Sequence, residues 1–178
     1  MLRRTFLSLA LVAAALPALA GEPMPRFTFP SADGGVIDTA DWAGHTVLVT
    51  NTASLCGFAP QLETLQDLHE ELGPKGLIVI TVPSNDFNQE LATAKEAKSY
   101  CALNFGLDLP MTDILHVAKG EVHPFYAWLR DTEGFTPSWN FNKVLIGPDG
   151  RVVGTYGAFV KPTSPSLRNA IDSLMPQG

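Results

Sequence analysis

Two unbroken apolar runs, Thr46-Val47-Leu48-Val49-Thr50 and Leu77-Ile78-Val79-Ile80-Thr81-Val82, frame an amphipathic segment and fix the class of fold available to this chain. Each run is β-branched and lacks polar alternation, so it reads as an inner strand covered on both faces. The segment between them carries Leu62, Leu65, Leu68 and Leu72 at helical spacing, with Pro60 at its start and Gly73-Pro74 at its end, which predicts a helix. Cys56 stands at the handover from the first strand to that helix. Unpaired N–H groups and the positive end of the helix dipole there favour a thiolate, the form of cysteine that attacks.

The rest of the chain extends the pattern. Ser31-Ala32-Asp33-Gly34-Gly35 predicts a hairpin turn, and a loop over 83–89 leads to a helix at about 90–104. Pro124 opens a short helix, and Gly147-Pro148-Asp149-Gly150 joins strands 143–146 and 151–155. A last amphipathic helix starts at Ser164 or Ser166 and runs through Leu167, Ile171 and Leu174. The order strand–helix–strand–helix–strand–strand–helix predicts an α/β, thioredoxin-like fold: a central mixed sheet with helices on both faces.

Residues 1–20 read as an export signal, with Arg3-Arg4 before an apolar stretch and Ala18-Leu19-Ala20 before Gly21. The start also resembles a twin-arginine signal, so either the Sec or the twin-arginine route is expected to deliver the chain to an oxidising compartment, a bacterial periplasm. Residues 21–178 then form one domain. The apolar stretch is too short to span a bilayer comfortably, so no stable membrane insertion is expected. Net charge is −6, and removing two arginines with the signal makes the domain more acidic, a poor partner for nucleic acid.

Cys56 and Cys101 are the only two cysteines. In an exported chain such a pair ordinarily reads as a structural disulfide, but a permanent bridge would occupy a thiol that its surroundings activate, which favours a bridge made and broken during turnover. Ala59 lies where a Cys-x-x-Cys exchanger needs its second cysteine, and Pro60 where a copper carrier's Cys-x-x-x-Cys would have it. His69, His116 and His123 lack metal-ligand spacing, so no metal and no cofactor are expected.

The three blocks Asn51-Thr52-Ala53-Ser54-Leu55-Cys56-Gly57-Phe58-Ala59-Pro60-Gln61, Pro83-Ser84-Asn85-Asp86-Phe87 followed by Gln89-Glu90, and Trp139-Asn140-Phe141-Asn142-Lys143 resemble, in order, those of glutathione peroxidases. The resemblance implies that Cys56 attacks a hydroperoxide and becomes a sulfenic acid, with Trp139 and Asn140 donating hydrogen bonds to the developing charge. It also implies that Cys101 resolves the sulfenic acid as an intramolecular disulfide, re-reduced by a thioredoxin-like protein or glutathione. The second block departs from the family: Asp86 replaces its usual glutamine, and the block is one residue shorter. Three roles stay open: Asp86 accepts the Cys56 proton, Asp86 bonds loop N–H groups, or Gln89 takes over the amide role. The short 131–138 segment lacks the insertion of tetrameric members, implying a monomer with an open site that admits bulky or lipid hydroperoxides. A redox-sensing or binding module signalling through the Cys56–Cys101 disulfide is the alternative reading.

Overall fold

In the computed structural model, which describes residues 22–176, the two apolar runs become adjacent parallel strands at the centre of a mixed sheet. The elements are β1 (Thr28–Pro30), β2 (Val36–Asp38), β3 (Thr46–Thr52), α1 (Gln61–Leu72), β4 (Leu77–Pro83), α2 (Ala94–Phe105), α3 (Pro124–Glu133), β5 (Lys143–Ile146), β6 (Val152–Tyr156) and α4 (Pro165–Leu174). Strand order is β4-β3-β5-β6, with β3 antiparallel to β5 and β5 antiparallel to β6. β1 and β2 form a separate hairpin across the expected turn. The thioredoxin-like arrangement is as expected. The expected export segment lies outside the described residues.

The alternation of side chains along the strands divides the core in two. Leu48 and Leu145 face a layer with Leu62, Leu65, Leu68 and Leu72 of α1 and Leu167 and Ile171 of α4. Val47, Val49, Val144 and Ile146 face the opposite layer, where Phe125, Tyr126 and Leu129 of α3 pack with Phe29 and Trp42. Both cysteines belong to the first layer. β3 is buried along its whole length, so its C-terminal end is a rigid platform for whatever follows it.

Two boundaries differ from expectation. Pro60 is the residue before α1 rather than its first residue, and the helix begins at Gln61. α2 begins at Ala94, not near residue 90, because the Thr93 side chain accepts from the Glu96 N–H while the Glu96 side chain accepts from the Thr93 N–H, a capping box that sets the start. Gly106, at φ 63°, ends α2 in the left-handed conformation, its N–H meeting the carbonyls of Ala102 and Cys101. Cys101 therefore sits in the last turn. Thr93→Ala should lower unfolding stability by about 1 kcal/mol, measurable as a shift of the chemical denaturation midpoint.

Candidate active site

The end of β3 and the turn that follows it are tied to two other segments. The Cys56 N–H meets the Ala53 carbonyl at 3.3 Å, and the Cys56 carbonyl accepts from Ala59 N–H at 2.9 Å, closing a tight turn ahead of α1. Gln61 and Leu62, at the start of the helix, donate to the carbonyls of Phe58 and Ala59, so those N–H groups are not available to a thiolate. The Gly57 and Phe58 N–H groups have no hydrogen-bond partner among the described residues. Cys56 is a free thiol, 5% exposed.

The loop over 84–91 is pinned to this turn at two points. Leu55 N–H donates to the Gln89 carbonyl at 2.9 Å, and Ser54 N–H donates to Glu90 Oε1 at 3.1 Å. On the other side stands the turn before β5. Asn51 N–H donates to the Asn142 carbonyl, Phe141 N–H to the Asn51 carbonyl, Asn51 Nδ2 to the Trp139 carbonyl and Asn142 N–H to Asn51 Oδ1. These bonds hold Phe141 at φ 63° with its ring fully buried, a backbone conformation that a bulky residue adopts only when its surroundings impose it. Asn140 Nδ2 donates to Gln89 Oε1 at 3.0 Å, while Asn140 Oδ1 is buried with no partner. The Trp139 indole is 41% exposed and packs against the Phe87 ring at 5.3 Å.

Asp86 does something different. Its carboxylate accepts from the Val117 and Ala118 N–H groups at 2.8 Å, from Lys119 N–H at 3.1 Å and from His116 Nδ1 at 2.5 Å. Burial by itself would raise the Asp86 carboxyl, but the hydrogen bonds from His116, Ala118, Val117 and Lys119 outweigh it and hold the group below the ordinary aspartate value. Of the three roles left open by the sequence, the geometry favours two together: Asp86 organises the 116–119 turn, and Gln89 holds the position beside Asn140. A carboxylate whose oxygens already accept four hydrogen bonds is poorly placed to take the Cys56 proton.

Cys101, 3% exposed, is also a free thiol. Its Sγ lies 3.9 Å from Ser54 Oγ, two residues before Cys56. Burial pushes its thiol up to about 11, the Ser54 contact opposing and the Glu90 charge adding to that shift.

A family model described as glutathione peroxidase matches residues 24–130. The chain is 36% identical over 141 residues to a glutathione peroxidase of Lactococcus lactis subsp. cremoris, spanning 76% of this chain and 90% of that one. It is 31% identical over 158 residues to a hydroperoxy fatty acid reductase of Synechocystis, spanning 83% and 94%. A crystal structure described as Trgpx in apo form superposes with a TM-score of 0.62 at 27% identity, covering 84% of this chain and 96% of that one. The chain belongs to the glutathione peroxidase family. It is an oxidoreductase of the peroxidase class, as the order of its three blocks implied.

Within this member of the family, three residues are not legible as site residues from the sequence. Asn51, a lone amide at the end of an apolar strand, is the anchor of the 139–142 turn. Gln61 and Lys143 form a second pair: Lys143 is fully buried and donates through Nζ to Gln61 Oε1 at 2.7 Å and to the Phe141 carbonyl at 2.8 Å. A lysine in a strand bounded by apolar neighbours was the available signal. Burial pushes its ammonium down to about 7.

Two measurements follow from these environments. Asp86→Asn should lower thermal stability through the 116–119 turn, by about 1–3 kcal/mol, and leave the rate and pH profile of Cys56 oxidation by peroxide unchanged; Gln89→Ala should instead slow that oxidation by roughly tenfold or more. Because Lys143 binds its proton less tightly folded than unfolded, stability should rise with pH from about 7, with a slope of up to about 1.4 kcal/mol per pH unit. The rise should end near pH 9, where the buried Cys101 thiol, raised in the folded state from the ordinary 9.0, begins to act in the opposite direction. Denaturant titrations across that window check the slope, which Lys143→Met should abolish.

Proposed function

We propose that the protein reduces hydroperoxides through Cys56 and uses Cys101 to reset it. The observation that carries this reading is the pairing of Asn140 with Gln89 beside a cysteine turn bound to the same loop. The Cys56 thiolate attacks the terminal peroxide oxygen, the O–O bond breaks, and the departing alkoxide or hydroxide takes a proton to leave as alcohol or water. Amide and N–H donors around the turn offset the negative charge where it forms, with the Trp139 indole at the open side. Cys101 then displaces water from the Cys56 sulfenic acid, forming a disulfide. Two electrons from a thioredoxin-like dithiol, or from glutathione, restore both thiols.

Local relief supports bulky, apolar peroxides. Leu55 and Phe159 are 57% and 86% exposed, Phe58 meets Phe159 edge-on at 5.1 Å, and Trp139 is 41% exposed. A cavity of about 210 Å³ opens between Gly57, Phe58, Pro60, Gln61, Thr64 and Lys161. The name of the Synechocystis relative, a hydroperoxy fatty acid reductase, agrees with a lipid hydroperoxide substrate. No helix among the described residues is long and apolar enough to cross a membrane. We further infer that the protein is a monomer exported to a bacterial periplasm, where a protein dithiol serves as reductant better than glutathione, given that no basic cluster surrounds the site among the described residues.

Peroxide consumption coupled to a regenerating thioredoxin system tests the reading. Cys56→Ser should abolish consumption, while Cys101→Ser should keep the first oxidation of Cys56 and lose sustained turnover, with mass spectrometry finding a sulfenic acid on Cys56. One oxidation event without turnover in the unaltered protein would instead favour a redox-sensing module.

A further inference from the structure

Ser54 stands between two groups that attack on the peroxide leaves unused, the Cys101 thiol and the Glu90 carboxylate. It lies just past the end of β3 and is 2% exposed. Its N–H donates to Glu90 Oε1 at 3.1 Å, and its Oγ lies 3.9 Å from Cys101 Sγ. Glu90 Oε1 also accepts from Leu91 N–H at 2.8 Å, and the Glu90 N–H donates to Asn85 Oδ1 at 3.2 Å. The carboxylate is thereby fixed at the Ser54 end of the 84–91 loop. Thiol, hydroxyl and carboxylate form one short chain.

A hydroxyl is donor and acceptor at once, so it can receive one proton while giving up another. Glu90 suits the far end of such a chain. It is half-buried, with a way to return a proton to solvent. Burial raises its carboxyl above the ordinary glutamate value, against the Ser54 hydroxyl, the Leu91 N–H and the Ser54 N–H that favour its charged form; a raised carboxyl is the better proton acceptor. The Glu90 charge also acts on Cys101, adding to the burial that keeps the thiol protonated, while the Ser54 hydroxyl opposes it. A second negative charge beside the first is disfavoured. Moving a proton from the thiol to the carboxylate leaves the total charge unchanged.

The other charged groups around α2 and this loop are committed elsewhere. Lys98 is paired with Asp33, Glu96 closes the capping box with Thr93, Asp86 is held by residues 116–119 and Lys143 by Gln61 and Phe141. Tyr100 packs on Phe105, α1 presents leucines to the layer, and the other thiol of that layer is Cys56.

We propose that Ser54 and Glu90 form the proton outlet of the resolving thiol: the Ser54 hydroxyl takes the Cys101 proton as it passes its own to the Glu90 carboxylate. This rests on the reading of Cys101 as the thiol that resolves the Cys56 sulfenic acid. Ser54 meets the reacting sulfur, and Glu90 acts through it. As the last turn of α2 opens, the Cys101 sulfur attacks the Cys56 sulfur; the S–S bond forms, the S–O bond breaks, Cys101 is oxidised and Cys56 reduced. The departing hydroxide takes a proton from solvent to become water, and Glu90 returns its own to solvent.

Single-turnover measurements read this step apart from peroxide consumption. The protein is mixed with one equivalent of peroxide and quenched with reagents that trap thiols and sulfenic acids, and mass spectrometry follows the Cys56 sulfenic acid as it gives way to the disulfide. In the unaltered protein the conversion rate should be nearly level between about pH 6 and about pH 8, because the reacting form, carboxylate with thiol, prevails across that window. In heavy water it should fall about twofold. Glu90→Gln and Ser54→Ala should each slow the conversion at least roughly tenfold at neutral pH and make it climb about tenfold per pH unit, since thiolate must then form by ionisation of Cys101 alone. Ser54→Thr, which keeps a hydroxyl, should recover the level profile. A steep climb in the unaltered protein overturns the proposal. So does an unchanged rate and level profile in a Glu90→Gln or Ser54→Ala protein whose circular dichroism matches the parent, since a merely structural role changes stability and not the form of the pH profile. Should neither variant fold, an unslowed rate in heavy water overturns it. If no disulfide forms at all, the reading of Cys101 as the resolving thiol fails and this proposal with it, an outcome distinct from a disulfide that forms with the wrong pH profile.

Discussion

The site depends on one buried asparagine at the end of one strand. Asn51 trades four hydrogen bonds with the turn before β5, two through its backbone and two through its side chain. Each is worth only about 1 kcal/mol net, but they act on a short segment and fix its backbone completely, including the left-handed Phe141. That turn delivers Trp139 to the surface and Asn140 to the interior. Since β3 also leads directly into the Cys56 turn, the proposed nucleophile and its prospective donors hang from the same buried strand end. Motion of one relative to the other would require breaking the centre of the sheet, which is the most protected part of the fold.

The framework was legible in the sequence because it is written in periodicities: two β-branched runs, leucines at helical spacing, and Gly and Pro at the breaks. Boundaries were less so. The start of α2 is set by a reciprocal bond between Thr93 and Glu96, a local signature that hydrophobic spacing does not carry. Within the site, the departure at Asp86 was visible but its meaning was not, because the partners that use its carboxylate lie 30 to 33 residues further along the chain. Once those partners are known, the shortened block makes sense. Asp86 closes the 116–119 turn, and Gln89, a few residues later, reaches Asn140. Lys143 was opaque for a different reason: no pattern reveals where a buried cation finds its acceptors.

The second cysteine poses a physical tension that the fold contains within one helical turn. Cys101 is buried, and at about 11 its thiol holds about a hundredfold less thiolate than one at the ordinary 9.0. A resolving thiol needs to ionise and to bring its Cα within about 7 Å of its partner's. In the cycle we propose, both demands would be met by the same event. The last turn of α2 ends at Gly106, and its closing bonds are those from the Gly106 and Leu107 N–H groups to carbonyls that include that of Cys101. Helix ends open more cheaply than interiors. In the cycle we propose, unwinding from Gly106 would free Cys101 from the cause of its raised ionisation as it releases it from the helix.

This arrangement would separate the two halves of the cycle we propose by how firmly each cysteine is held. Cys56 stands in a turn that follows the buried β3 and is tied to the 84–91 loop, and in the cycle we propose its prospective donors are fixed before any peroxide arrives, which is the condition for electrostatic stabilisation without reorganisation. Cys101 stands near an end where only a few bonds must open. The capping box at Thr93 reinforces the asymmetry, since it anchors the end of α2 far from Gly106. A stable start and a labile finish confine the opening to the residues that must travel. The rigid half suits attack on a small, reactive bond; the yielding half suits a resolving step whose partner exists only after that attack has occurred.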